Sequence, residues 1–314
     1  MKRDDPALAL INKVHHADFI QFVETGQATK DFLYLVNTRP AYQYALSIRA
    51  RCEESILVVF ALYRRILRFA QRGDRSVEAD VLRYFATDHM SPALRRYLAA
   101  NQSRAHLLNN FRMRAALLQN LWTGEVEPLP VDSADQATML TRRFERIRRL
   151  WPTEPEIRDD PPALLIASQW RHDYQTFIAT GIADEEFLEY INGDFGCQQA
   201  LRIQAHYEEN LLFLLAFDRR LASFAAKKID PMWRSEFLAF FATGDVSQQL
   251  RDYLDDHKEV GDQVHKFLDD EQRFIDQRKE EVEALTRDAS DQASILSCRI
   301  EYIRRLWLEE EFRP

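Results

Sequence analysis

The hydrophobic pattern of the chain contains one long helical segment twice. Ala45–Ala70 reads ALSIRARCEESILVVFALYRRILRFA, and 155 residues later Ala200–Ala225 reads ALRIQAHYEENLLFLLAFDRRLASFA. Twelve of the 26 aligned positions are identical, which indicates an internal repeat. On a helix, most of these identities fall within an arc of roughly 120°, and the other faces remain apolar. The pattern therefore predicts two corresponding helices, each buried nearly all round.

The repeat extends to the flanking segments. A first helix is predicted over Pro6–Glu24, and its copy over Pro162–Ala179. Each ends at Thr-Gly, where Gly26 and Gly181 can adopt the left-handed cap conformation. The remaining predicted helices form corresponding pairs: Thr29–Val36 and Asp184–Ile191, Val77–Ala86 and Met232–Ala242, Pro92–Trp122 and Ser247–Thr286, and a last pair that begins after Asp135 and Asp291.

Low glycine content and the near absence of strand-like alternation predict an all-α fold. We expect two tandem homologous helical-bundle domains of about six helices each, spanning residues 1–153 and 163–314. A short proline-rich linker, 154–162, joins them. Because this linker is short, we expect the two lobes to pack together, with a groove between them in which a ligand or a partner could bind.

Each copy of the buried helix carries two adjacent acidic residues: Glu53, Glu54, Glu208 and Glu209. A buried carboxylate without a partner costs several kcal/mol or stays protonated. The last helix of each copy supplies a candidate partner on its inward face, Arg143 in the first and Arg299 in the second. We expect Arg143 to pair with Glu54 or Glu53, and Arg299 to pair with Glu209 or Glu208, as structural ion pairs.

An enzymatic alternative uses the same glutamates. Carboxylate-bridged metal sites in helical bundles combine Glu with Glu-x-x-His motifs, and Glu54 and Glu209 could supply such carboxylates. Neither copy contains the Glu-x-x-His motif, and the repeated arginines compete with a cation for the same oxygens. The sequence also lacks a glycine-rich phosphate loop, a GxSxG motif and a zinc-spaced Cys/His set, so we predict no cofactor and no metal.

A second enzymatic alternative rests on RYFATDH, residues Arg83–His89. This segment resembles the R-x(4–6)-H motif of the HEPN family of helical ribonucleases. The resemblance implies that Arg83 and His89 act together on a phosphodiester. It covers these two positions only: Tyr84 stands where the family often has a polar residue, and the second copy lacks both the Arg and the His.

The charge of the chain is divided unequally. Residues 1–157 contain 23 Lys and Arg against 18 Asp and Glu, whereas residues 158–314 contain 19 against 32. The basic half could dock on an acidic protein or on the acidic half of a second copy, giving a homo-oligomer. The candidate partner-binding arginines lie on the last helix of the first copy: Arg142, Arg146, Arg148 and Arg149. The overall charge of −8 argues against nucleic-acid binding.

The leading prediction for function is therefore a non-enzymatic protein-interaction module: an adaptor, a regulator or a neutralising partner. No apolar run is long enough to span a membrane, and the first residues lack the apolar core of a signal peptide. Three cysteines without CxxC spacing fit a reducing compartment, so we expect a cytoplasmic location.

Overall fold

A computed structural model describes residues 5–113, 135–151, 161–243, 246–284 and 291–308. These residues contain helices and connecting segments and no β-strand, which confirms the all-α prediction. Within these ranges, no helix combines the length and the apolarity that a transmembrane span requires. The last part of the predicted helix Pro92–Trp122 and most of the predicted linker lie outside the described residues.

The first half of the chain begins with two 3-10 turns, Pro6–Leu10 and Lys13–His15. Seven α-helices follow in the described residues: α1 (His16–Thr25), α2 (Lys30–Thr38), α3 (Pro40–Gln71), α4 (Glu78–Thr87), α5 (Pro92–Ala100), α6 (102–113) and α7 (Gln136–Leu150).

The second half repeats this order in the described residues, beginning with the 3-10 turns Pro161–Leu165 and Ser168–Trp170. Its helices are α8 (Arg171–Thr180), α9 (Glu185–Gly193), α10 (Phe195–Lys228), α11 (Arg234–Thr243), α12 (Gln248–Asp256), α13 (Lys258–Ala284) and α14 (Gln292–Leu308).

The two repeated segments lie within α3 and α10, which pack against each other at the centre of the molecule. The prediction was too long for the first helix, because Asp5 and Asn12 cap two separate 3-10 turns before α1 begins. The backbone N–H of Asn12 donates to the Tyr42 hydroxyl, a distant contact that no local pattern reveals. The predicted fifth helix is broken at Asn101 in the first half and at His257 in the second.

Both predicted glycine caps are present. Gly26 ends α1 at φ 77°, and Gly181 ends α8 at φ 75°. A side chain is disfavoured at this φ, and a Cβ atom on Gly26 would lie 2.8 Å from the Cγ atom of Glu145 in α7. The corresponding Cβ atom on Gly181 would lie 3.1 Å from Cγ of Glu301 in α14. Each cap thus sets how closely the last helix of its half approaches the first.

The halves before and after residues 152–160 interlock. Helix α4 of the first half packs against α9 and α10 of the second, and α11 of the second packs against α2 and α3 of the first. One hydrophobic cluster contains buried residues of both halves, including Phe22, Phe144, Phe177 and Phe187. Each half also has a smaller apolar cluster of its own. One surrounds Val81 in the first half, and the other surrounds Phe237 in the second. The central core is therefore shared between the halves.

Polar contacts also cross between the halves. Asp194 caps α10 by accepting from the backbone N–H of Cys197 at 2.7 Å, and it accepts from the Tyr63 hydroxyl of α3 at 2.8 Å. Burial raises the pKa of Asp194 above its usual range, although these hydrogen bonds act in the opposite direction. The ionised form of this carboxyl is therefore a cost to the folded state at neutral pH.

We expect the Asp194→Asn variant to gain stability relative to the parent as pH rises. A raised folded-state pKa means that the parent binds more protons when folded, so the contribution of Asp194 is present below the unfolded pKa of about 3.9 and is lost as pH rises through the folded value. Urea unfolding of both proteins from about pH 4 to 7 measures this difference.

Asp135→Asn is the matched control, because Asp135 also caps a helix. Hydrogen bonds from Thr138 lower the pKa of Asp135. Its contribution is therefore present above the unfolded pKa and is lost as pH falls, which is the opposite slope. Equal slopes for the two variants would contradict the account of Asp194.

Candidate functional site

The repeated glutamates are buried on α3 and α10. Glu53, Glu54, Glu208 and Glu209 are 0%, 3%, 2% and 4% exposed. The predicted buried Glu–Arg pairs are present, and arginines from the last helix of each half supply them. This placement explains why the acidic residues and the last-helix arginines repeat together.

In the first half, Glu54 receives two arginines. Arg143 donates from Nε and Nη2 to the two carboxylate oxygens of Glu54 at 2.9 and 2.5 Å. Arg146 adds a contact from Nη2 to Oε1 at 2.9 Å. The paired fork of Arg143 matches the geometry of the strongest charge-assisted hydrogen bonds.

Glu53 lies in a neighbouring network. Arg49 donates to it from the same helix at 2.8 Å and also reaches Asp5 at 2.9 Å. Arg148 donates from Nη2 to Glu53 at 2.5 Å and from Nε to the Val23 carbonyl oxygen at 2.7 Å. Four segments of the first half are therefore joined through this one carboxylate.

The second half has the corresponding pairs. Arg299 donates from Nε and Nη2 to Glu209 at 2.6 and 2.5 Å. Glu208 accepts from Gln204 at 2.8 Å, and Arg304 lies 3.5 Å away while it donates to the Ile178 carbonyl oxygen. Among the described residues, no second arginine contacts Glu209 as Arg146 contacts Glu54, although the exposed His206 ring lies 4.0 Å from it.

These contacts bear on the carboxylate-site alternative. A metal ion at Glu54 or Glu209 would have to displace a paired guanidinium that already satisfies both carboxylate oxygens. In the described part of the chain, no cluster of three or more His, Cys, Asp or Glu is arranged around a common point. In the described residues, each of the four carboxylates is engaged by arginine or glutamine side chains.

The residues of the HEPN resemblance lie at the end of α4. Arg83 and His89 are both exposed, and Asp88 between them adopts the left-handed conformation at φ 56°. The backbone N–H of His89 donates to the Thr87 hydroxyl at 3.1 Å. No described contact joins the Arg83 and His89 side chains, and a shared catalytic role for them stays a prediction.

The four arginines predicted to bind a partner divide into two groups. Arg142 and Arg149 are exposed on α7, and the Arg149 side chain is 80% accessible. Arg148 is 12% accessible and points inward to Glu53, while Arg146 is partly exposed and contacts Glu54. The first group is the more exposed, although Arg149 also lies 3.9 Å from the carboxylate of Glu145.

A cleft of about 400 Å³ lies where α3 packs against α10, and we call it the central cleft. Its lining includes four pairs of residues that are 155 positions apart: Ile48 and Ile203, Arg51 and His206, Cys52 and Tyr207, and Ser55 and Asn210. Arg202 and Arg299 complete the described lining. The cleft therefore lies between corresponding faces of the two halves.

The lining of the central cleft is cationic. Three arginines and a histidine face it, and none of its described lining residues is Asp or Glu. Arg299 is neutralised by Glu209, whereas Arg51 and Arg202 have no ion pair among the described residues. Burial and then the charge of Arg299 lower the pKa of Arg202, as expected for a cation without a counter-charge. The cleft is suited to an anionic group.

A second cleft of about 320 Å³ adjoins the first and shares Arg202. It is lined by Tyr84 and Arg112 from the first half and by Gln199 and Gln292 from the second. Arg112 donates to the Tyr84 hydroxyl at 2.7 Å and pairs with Asp88 at 2.9 Å. Together the two clefts provide a groove that runs from the central helices to α4.

The sequence predicted a groove between the lobes, but it did not identify the residues of the central cleft. These residues differ between the copies: Arg51 corresponds to His206, Cys52 to Tyr207, and Arg202 to Ser47. A search for repeated residues passes over them. The available signal was their spacing, because Arg51 and His206 lie three residues before Glu54 and Glu209 on the same helices.

Comparison with protein-family models, with curated proteins and with solved structures finds no match to this chain.

Proposed function

We propose that this chain is a non-enzymatic interaction protein that takes an acidic segment of a partner protein into the central cleft. The observation that carries this proposal is the cationic lining, in which Arg51 and Arg202 have no acidic partner among the described residues. Opposite charge across an interface supplies specificity and speeds association. The adjoining cleft, which shares Arg202 and is lined by Arg112 with its partner Asp88, extends the surface beside the central cleft.

The interaction role is favoured over the carboxylate enzyme by the state of the repeated glutamates. Arginines pair with Glu53, Glu54 and Glu209, and Gln204 and Arg304 contact Glu208, whereas the cationic cleft in the described residues is open to a ligand. The exposed arginines Arg142 and Arg149 offer a second docking face, and that face is the competing surface in the test below.

We also propose that the two halves arose by tandem duplication, as residues 1–153 and 163–314. Corresponding contacts support this proposal: Asn37 accepts from the backbone N–H of Ala137 at 2.8 Å, and Asn192 accepts from that of Ala293 at 3.0 Å. The helix contacts correspond in the same way: α4 packs on α9 and α10, and its counterpart α11 packs on α2 and α3. A cytoplasmic location and a homo-oligomer remain part of the proposal, and the free thiols of Cys197 and Cys298 agree with the former.

Capture of partners from a native lysate tests the interaction role. We expect the parent chain to retain a stoichiometric acidic partner and the double variant Arg51→Glu/Arg202→Glu to lose it, because reversed charge in the cleft repels the segment. Arg142→Glu/Arg149→Glu is the matched control, with two charge reversals on the exposed face of α7.

The control should retain the partner, and the circular dichroism melts of all three proteins should agree. If instead the α7 variant loses the partner and the cleft variant retains it, the interface lies on α7 and not in the cleft. Size-exclusion chromatography of the purified chain shows whether the partner is a second copy.

A further inference from the structure

The central cleft has more hydrogen-bond donors than its protein contacts use. Arg202 donates from one terminal nitrogen to the Gln292 side chain, and its other N–H groups have no described acceptor. No described hydrogen bond engages the side chain of Arg51. Arg299 directs Nε and Nη2 to Glu209, which leaves its remaining terminal nitrogen without a described acceptor. The hydroxyl of Ser55 lies on the same lining.

The charge balance distinguishes a phosphoryl group from a carboxylate. A carboxylate brings one negative charge and two oxygens in one plane, which one guanidinium fork satisfies. A phosphate monoester brings a charge of about −1.5 to −2 and three acceptor oxygens in a tetrahedral arrangement. Arg202 is repelled by the neighbouring Arg299, although Arg299 is itself paired with Glu209, and Arg51 adds a further cation that has no ion pair among the described residues. A dianion that contacts several of these groups offsets this repulsion better than a single carboxylate.

The donors are not arranged symmetrically between the halves. Arg202 corresponds to Ser47 in the first half, and Arg299 corresponds to Arg143, which does not line the cleft. Arg202 therefore places a cation without a described ion pair on the second-half side, next to the adjoining cleft that it also lines. A group bound there lies beside that cleft, whose lining includes Arg112 and its ion-pair partner Asp88.

We propose that the central cleft binds a phosphoryl group, held by Arg51 and Arg202 with Arg299 beside them, and carried on a side chain of the acidic partner segment. This inference rests on the proposed function and specifies the chemistry that the cleft recognises. Arginine clusters are the usual protein partners of phosphorylated side chains, since the planar guanidinium binds phosphate oxygens in pairs.

Isothermal titration with three matched peptides tests this proposal. Each probe is the same short acidic peptide with phosphoserine, serine or glutamate at its centre, titrated into the full chain at constant ionic strength. We expect the phosphoserine peptide to bind about tenfold more tightly than either of the others. Arg202→Gln should weaken all three peptides, because it removes one cation from the cleft, but it should weaken the phosphoserine peptide most and so remove its preference. The matched control Arg149→Gln should retain the preference.

Equal binding of the phosphoserine and glutamate peptides would overturn the phosphoryl assignment and leave the proposed function intact, because acidic recognition would persist. Retention of the captured partner by the Arg51→Glu/Arg202→Glu variant would instead overturn the proposed function itself. Inorganic pyrophosphate as a competitor separates the two sources of phosphate. If pyrophosphate displaces the phosphoserine peptide only weakly, the phosphoryl group is recognised as part of a protein segment. If pyrophosphate displaces the peptide at a concentration below that of the peptide, the cleft binds a free phosphorylated molecule, and the protein segment is overturned as the source.

Discussion

Arg299→Ala should lower the free energy of unfolding by about 3–5 kcal/mol, because it leaves Glu209 buried without an arginine. Glu209 is 4% exposed, and the largely exposed His206 ring lies 4.0 Å from it, at the limit of ion-pair distance. Urea unfolding followed by circular dichroism measures the loss.

Arg143→Ala is the matched variant in the first half. It removes the corresponding arginine, but Arg146 remains 2.9 Å from Glu54, so the loss should be smaller than that of Arg299→Ala. The double variant Glu209→Ala/Arg299→Ala should be more stable than Arg299→Ala alone, since the uncompensated charge is then absent. Equal losses for the two single variants would contradict the role given to Arg146.

Cleavage of the chain between residues 155 and 156 should abolish cooperative folding of each fragment on its own. The central hydrophobic cluster contains buried side chains from both halves, and α4 and α11 each pack on helices of the other half. Each isolated fragment would expose this apolar surface and lose the contact between Tyr63 and Asp194. Mixing the fragments should restore a helical complex with one molecule of each.

Circular dichroism and size-exclusion chromatography of the separate and mixed fragments measure this outcome. The uncut chain is the control for helix content and for the cooperativity of melting. Two fragments that each melt cooperatively as monomers would show that the halves are independent domains. That result would contradict the shared core and support the simpler arrangement of two separately folded lobes.

The parts of the fold that the sequence predicted are governed by local pattern. The apolar faces of α3 and α10 follow from residues three and four apart, and the caps at Gly26 and Gly181 follow from the preference of glycine for positive φ. The buried ion pairs followed from an energetic argument: an acidic residue on a helix that is apolar on every side requires a cation nearby.

The interlocking of the halves could not be predicted in the same way. Contacts such as Tyr207 to Asp5, 202 residues apart, depend on how two helical halves dock, and no periodic signal along the chain encodes that docking. The first predicted helix was too long for a related reason. Asn12 and Tyr42 form a tertiary hydrogen bond that favours a break in the helix before α1.

Arg51 and Arg202 of the central cleft were missed because they do not repeat. Internal repetition identifies residues that both halves need for stability, and these are the buried glutamates and their arginines. A binding site between the halves is formed once, so its residues are free to differ between the copies. Arg202 and its counterpart Ser47 show this difference most clearly. The absence of repetition in a cleft between repeated helices is therefore itself a useful signal.

Arginine-selective dicarbonyl labelling of the chain with and without its captured partner, read by mass spectrometry, tests the central claim most directly. Arg51 and Arg202 line the cleft, and the exposed Arg142 and Arg149 serve as controls in the same sample. The account predicts that the partner protects Arg51 and Arg202 from labelling and leaves Arg142 and Arg149 reactive. Protection of Arg142 and Arg149 with undiminished labelling of Arg51 would contradict it.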